Sequence, residues 1–285
     1  MIRNTPNAGA MSKLRSSLPH LTPALKRLAS AILDHPKEAM YASVTELAED
    51  ARVGEASVIR LCRDLGFSGF QDLKLALAAD LAVLPEGDAP HDPSGNDLRG
   101  IVNRVTLEAI TALQETSAML DAGALERAVD VLLEASEVLI FGAGASGVTA
   151  RDFAYKFLRI GYHAVAYGDA HLAAMAAATL KPGAVVLGIT RSGSTTDTVR
   201  TLLLARAQGA HTVLLTQRAK SPAVATADVV LYSSSTESPL TGGSIPSKMG
   251  QLLLLDALYA ALLLRKKGAR EAVAATAKAV TDRNY

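Results

Sequence analysis

The apolar positions of the chain change their period once. Up to about residue 135 they recur every three to four residues; beyond it they gather into short unbroken runs separated by helical stretches. In the first part, Leu21, Leu25, Leu28, Ile32 and Leu33 share one face and predict a helix that stops near Asp34-His35-Pro36, because the residue before a proline disfavours helix. Residues 44–67 then predict two short helices. Ser43 or Thr45 caps the first, which runs to about Asp50. Arg52-Val53-Gly54 supplies a turn with a glycine. The second starts near Glu55-Ala56-Ser57, carries Val58, Ile59, Cys62 and Leu65 on its apolar side, and ends at Gly66. Helical spacing resumes from Asp97 to Ala135.

The apolar runs follow, near 138–142, 163–167, 184–190, 211–216 and 228–233, with helices near 147–160, 170–180, 195–208 and 246–265. Strand and helix in strict alternation predict a parallel sheet with helices on both faces. The expected fold is an all-α helix-turn-helix N-terminal domain followed by an α/β doubly wound domain with a five-stranded parallel sheet. The expected bounds are 12–83 for the first domain, 84–100 for a flexible proline- and glycine-rich linker, and 101–268 for the second domain, with its core at 125–264. Residues 1–10 read as a loose arm and 269–285 as a C-terminal tail.

Composition narrows the function classes. The net charge of +1 announces neither a strongly acidic nor a strongly basic partner, and residues 12–80 hold nine basic and nine acidic side chains. Cys62 is the sole cysteine, so no intrachain disulfide forms, and a reducing cytoplasm is the expected location. The N-terminus shows no charged-then-apolar leader pattern. The longest apolar stretch, Leu252–Leu264, is interrupted by Asp256 and falls short of a membrane span, so no membrane partner is expected. Tryptophan is absent and 4% of residues are aromatic, which argues against a base-stacking surface for single-stranded nucleic acid.

Two helices joined by a tight turn are the helix-turn-helix arrangement, whose second helix enters the major groove N-terminal end first. The candidate DNA-facing residues are Thr45, Glu55, Ser57, Arg60 and Arg63. Ser57 can donate to a phosphate or a base edge, Arg60 can read guanine or hold phosphate, and Arg63 suits phosphate. A helical hairpin with no role in nucleic-acid binding fits the same pattern.

Two bends carry the chemistry of the second part. Gly142-Ala143-Gly144-Ala145-Ser146-Gly147 joins a strand to a helix N-terminus, an arrangement suited to an anion. No Gly-Lys-Ser/Thr follows, so it is not a nucleoside-triphosphate loop. Thr190-Arg191-Ser192-Gly193-Ser194-Thr195-Thr196-Asp197 repeats the situation after another strand, with six of eight residues glycine or a small hydroxyl. Hydroxyls and amides together suit a phosphate monoester. Helix capping alone is one alternative. A nicotinamide fold is another, since Gly142, Gly144 and Gly147 nearly fit its fingerprint and Asp169 ends the second strand.

Gly142-x-Gly144-x-Ser146 with Thr190-x-Ser192-Gly193-x-Thr195 resembles the sugar isomerase (SIS) domain, a doubly wound phosphosugar-binding fold. The resemblance implies a ligand site of Gly142, Gly144, Ser146, Thr190, Ser192, Gly193 and Thr195, with the hydroxyls on the phosphate. It also implies that loop 233–247 closes over the sugar, where Glu237 can meet its hydroxyls. Leu65-Gly66-Phe67-Ser68-Gly69-Phe70-Gln71-Asp72-Leu73-Lys74 after the helical pair, with the sugar-binding domain behind it, resembles the RpiR-type bacterial transcription regulators over about 12–264. Ser247-Lys248 stands where that family often shows Ser-Arg, which keeps the charge but not the planar fork. The resemblance implies a regulator of carbohydrate metabolism that binds a double-stranded, palindromic operator as a homodimer or homotetramer. Its effector would be a phosphorylated sugar or sugar acid, with no catalytic residue, metal or cofactor. The rival is an aldose–ketose phosphosugar isomerase. Its general base would have to come from His163, His171, His211 or Glu237; of the histidines, only His171 follows a strand's C-terminal end.

Overall fold

The computed structural model describes residues 9–83, 98–235 and 243–281, in two compact units that divide after Val102. The first unit is helical: α1 (Ala10–Ser17), α2 (Pro23–Asp34), α3 (Pro36–Tyr41), α4 (Val44–Asp50), α5 (Glu55–Asp64) and α6 (Phe70–Val83). Leu14, Leu28, Ile32, Val58, Leu61, Cys62, Leu73 and Leu77 are buried together at its centre. The helix α1 begins two residues before the expected domain start. Ala10 and Leu14 anchor α1 in the core, and Asp80 of α6 accepts from the Met11 amide at 2.8 Å, capping α1 from another helix.

Ser43, and not Thr45, caps α4. Its hydroxyl accepts from the Glu46 amide at 3.0 Å while the Glu46 carboxylate accepts from the Ser43 amide at 2.7 Å, a reciprocal capping box. The α4–α5 turn lies where expected, and α5 starts at Glu55. Gly54 is the extended N-cap of α5 (φ −81°), and the left-handed residue is Arg52 (φ 52°). Arg27 of α2 braces this turn, donating to the carbonyls of Ala51 at 3.3 Å and Arg52 at 3.2 Å. Buried Lys74 donates to the Ala42 carbonyl at 2.8 Å and so ties the end of α3 to α6.

The helix α7 (Leu98–Met119), most of which belongs to the second unit, and α8 (Ala122–Leu133) lead into the alternating part. The strands β1 (Val138–Gly142), β2 (Ala164–Tyr167), β3 (Val185–Ile189), β4 (His211–Thr216) and β5 (Val229–Tyr232) form, among the described residues, a five-stranded parallel sheet in the order β2-β1-β3-β4-β5. Every residue of β1 and β3 is buried, as expected of central strands covered on both faces. The intervening helices are α9 (Ala145–Arg159), α10 (Ala170–Ala177) and α11 (Thr196–Ala207), and α12 (Ile245–Arg265) and α13 (Ala269–Thr281) follow β5.

The two faces have separate cores. Phe153 and Phe157 of α9 pack with Ile140, Leu187, Leu132 of α8 and Leu258 of α12 on one face. Ala173 and Ala177 of α10 and Leu202 and Ala205 of α11 pack with Leu139, Phe141, Val186 and Leu214 on the other. Two expectations change here. The helix α12 is 21 residues long with a mean hydropathy of 1.3 in its most apolar window, long and apolar enough to cross a membrane by length and composition. Yet Leu254, Leu255, Leu258 and Leu262 are buried in the sheet's core, which accounts for its apolarity. The expected tail holds a helix, α13, whose Ala272 lies against Gly161 and whose Thr276 hydroxyl reaches the Arg159 carbonyl at 3.5 Å.

Candidate functional site

In the sheet register Gly142, the last residue of β1, pairs with Ile189, the last of β3, so the two bends leave side by side. From there α9 turns to one face and α11 to the other. Beyond β1 the strand order runs to β2, and beyond β3 to β4. This is the switch point of a doubly wound sheet, the place where such folds bind their ligands.

The first bend requires its glycines for different reasons. A Cβ on Gly142 would come within 2.8 Å of the Ser146 backbone, and one on Gly147 within 2.7 Å of the Gly142 carbonyl oxygen. Gly144 holds φ +57°. The amides of Ser146 and Gly147 close on the carbonyls of Ala143 (3.2 Å) and Gly144 (3.0 Å). The bend therefore presents the half-buried Ser146 side chain rather than a full set of open amides.

The second bend is tied to its neighbours. The Thr190 amide donates to Leu215 O at 3.0 Å, and Gln217 N donates to Arg191 O at 3.2 Å. Gly193 holds φ +64°, and a Cβ there would stand 2.0 Å from Ser221 Oγ. Its carbonyl accepts from Ala223 N at 2.9 Å. Thr190, 2% exposed, meets the Thr195 hydroxyl at 3.0 Å, and Ser192 Oγ accepts from Ser194 N at 3.2 Å. Thr195 occupies the N-cap position of α11 without a side-chain bond to the helix amides. Capping therefore does not account for its hydroxyl. Gly142, Gly144, Ser146, Thr190, Ser192, Gly193 and Thr195 thus all lie at adjoining strand ends.

The segment after β5 is pinned where it leaves and where it returns. Ser234 receives the α7 side chains: its amide donates to Thr116 Oγ1 at 2.9 Å and its hydroxyl to Glu115 Oε2 at 2.7 Å. Ser235 Oγ accepts from Gln217 Nε2 at 2.7 Å. Gly243, where the described chain resumes, sits so that a Cβ would stand 3.1 Å from the Cβ of Ala145, the first residue of α9. Glu237 lies outside the described residues. Ser247 is buried and Lys248 half-buried in the first turns of α12. These pins on α7, on the residue after β4 and on α9 carried no signal in the sequence, because the partners are up to 119 residues apart.

The candidate general bases fare poorly. His211 opens β4, and the His163 carbonyl receives the first amide of β1, so both stand at the N-terminal end of the sheet. His171 is exposed in an open groove between α10 and α11 with Asp169, Met175, Asp197 and Arg200. Asp169 accepts from the Leu172 amide at 2.9 Å and caps α10. That use explains the acid without a ribose.

In the first unit, Thr45 near the start of α4 donates to Glu55 Oε1 at the start of α5 at 2.5 Å. Arg60 and Arg63 are exposed, with Arg60 3.8 Å from Asp64, and Ser57 is half-buried. Exposed Ala56 lies between Glu55 and these arginines on the outward side and belongs with the candidate set. It was missed because a small apolar residue carries no charge or hydrogen bond to notice.

Comparison with known proteins agrees with both units. Residues 8–83 match the helix-turn-helix domain of the rpiR family and residues 131–261 match the SIS domain. An uncharacterized HTH-type transcriptional regulator of Haemophilus influenzae is 36% identical over 262 residues, 90% of this chain and 91% of that protein. The HTH-type transcriptional regulator RpiR of Escherichia coli K12 is 33% identical over 76% of this chain and 73% of that one. The structure of Vibrio vulnificus NanR complexed with ManNAc-6P superposes with a TM-score of 0.86 at 32% identity, covering 97% of this chain and all of that one. The relatives are named as regulators, and the chain belongs to the RpiR family of HTH-type transcriptional regulators, with a helix-turn-helix domain ahead of a SIS domain.

Proposed function

We propose that the C-terminal domain senses a phosphorylated sugar or sugar acid, and that its occupancy sets how the N-terminal domain binds an operator. The carrying observation is the pairing of Gly142 with Ile189, which sets the Ser146 bend and the Thr190–Thr195 bend side by side at the switch point. Ser146, Ser192 and Thr195 would take the phosphate oxygens, with Glu237 and Lys248 toward the sugar. That a structural neighbour matching nearly the whole chain was solved in complex with ManNAc-6P supports the ligand class. In this reading α5 enters the major groove, with Ser57, Arg60 and Arg63 on base edges and phosphates.

A helix-turn-helix dimer reads two half-sites, so the operator is palindromic and the working form at least a dimer in the cytoplasm. The effector acts only by binding the DNA-competent and DNA-incompetent arrangements with different affinity. The test is a thermal-shift and calorimetric screen of sugar phosphates and sugar-acid phosphates on the wild type, Ser146→Ala and Ser192→Ala. Binding to the wild type that both variants lose, with operator binding retained, supports the sensor. Binding that survives both substitutions places the ligand elsewhere, and turnover of the sugar phosphate would make the protein an isomerase.

A further inference from the structure

We propose that Glu55 reads a cytosine in each half-site, with Thr45 as the residue that aims it. This rests on the reading of α4 and α5 as the DNA-binding pair. Among the outward residues of α5, two are cations suited to phosphate or guanine. Glu55 is an acid at the end of the helix that enters the groove first, where the surrounding phosphates repel it. An exposed side chain in that position is free to rotate away, but this one is held. Thr45 has a single hydroxyl proton and donates it to Glu55 Oε1. Thr45 is in turn fixed in the first turn of α4, which the Ser43–Glu46 capping box closes. The same bond removes Thr45 from the donors available to a phosphate and makes it a positioning residue.

A carboxylate only accepts hydrogen bonds. In the major groove cytosine offers N4–H2, the donor that acids favour. Adenine sets its N6–H2 beside the N7 acceptor, which repels an acid and suits an amide instead. Glu55 therefore lowers affinity for DNA in general and recovers it where a cytosine stands opposite, so its contribution is discrimination. An acid in the first turn also complements the helix dipole, but that role sets no preference among bases.

The experiment selects operators from random duplexes with the full-length protein and measures equilibrium binding to the selected site and its single-base substitutions. For the wild type, one position of each half-site should be cytosine, preferred about tenfold or more over the other bases. Glu55→Gln should move that preference to adenine, because an amide bonds N6 and N7 together. Glu55→Ala should leave the position degenerate and tighten binding to non-operator DNA. Thr45→Val should weaken the preference without changing the base. If both Glu55 variants, folded by circular dichroism, keep the wild-type consensus and ratios, Glu55 is not a reader. If the wild type enriches no sequence at all, the DNA-binding reading itself fails, and this assignment with it.

Discussion

Thr190 and Thr195 close the second bend on each other, hydroxyl to hydroxyl at 3.0 Å, with Thr190 almost wholly buried beneath. One proton lies between the two oxygens, so the pair keeps at most one hydroxyl proton for a phosphate. Thr190 is then the buried support and Thr195 the half-buried, more accessible member. Thr190→Val, which keeps the shape and removes the bond, should weaken sugar-phosphate binding only several-fold, since a neutral hydrogen bond contributes about 1 kcal/mol. If Ser192 holds the phosphate as proposed, Ser192→Ala removes a hydrogen bond to a charged group, worth about 1.5–3 kcal/mol, and should cost ten- to hundredfold. Isothermal calorimetry on the two variants checks the order. Equal losses would make Thr190 a direct ligand.

Gly193 combines two demands that no other residue meets. Its φ of +64° costs an L-residue about 1–2 kcal/mol, and a Cβ would sit 2.4 Å from Ser221 Cβ, an overlap that costs about 1–3 kcal/mol. Gly193→Ala should therefore lower the stability of the SIS domain by about 2–5 kcal/mol in urea unfolding and abolish ligand binding. Adding Ser221→Gly, which removes both overlapping atoms, should recover the overlap part alone and leave the backbone part. Full recovery in the double variant would show that the left-handed backbone is not strained at this position.

How much of this was legible in the sequence depended on how local each cause is. The central strands β1 and β3 were readable because burial on both faces makes them unbroken apolar runs. The two bends were readable because glycine and hydroxyl residues follow those runs directly. The helix α1 was missed because its capping acceptor, Asp80, is 69 residues away and its buried anchors are only Ala10, Leu14 and Ser17. The helix α13 was missed because it buries Ala269 fully and otherwise covers α9 partially. Asp169 suggested a ribose ligand when its actual partner is the amide three residues on. Side chains that work locally announce themselves. Those satisfied by distant partners, such as Glu115 with Ser234, do not.

Cys62 provides a probe of the first unit. Burial lifts its thiol from 9.0 to about 12, with Asp72 adding to the rise. A neutral, inaccessible thiol is inert, so a disulfide reagent at pH 8 should label it only through opening of the helical core. That labelling should be on the order of a thousandfold or more slower than in the urea-unfolded chain. The sign of the pH effect follows from the same rise. Above pH 9 the unfolded chain loses the thiol proton while the folded one keeps it. The folded state then binds more protons, and stability falls as pH climbs from 9 toward 12. Cys62→Ala should remove that part of the decline. Rapid labelling of the native protein would contradict the burial of α5.

The turn before α5 stores strain at Arg52. A left-handed conformation costs an arginine about 1–2 kcal/mol that a glycine does not incur, although a glycine gives back part of this through the freedom of the unfolded chain. The Arg52 side chain is exposed, and its carbonyl, which Arg27 holds at 3.2 Å, survives substitution by glycine. Arg52→Gly should therefore stabilise the helix-turn-helix unit by about 0.5–1 kcal/mol in urea unfolding. Arg27→Ala should do the reverse, since it deprives the same turn of two carbonyl partners. If Arg52→Gly destabilises instead, the side chain at 52 does more for the turn than its backbone geometry costs.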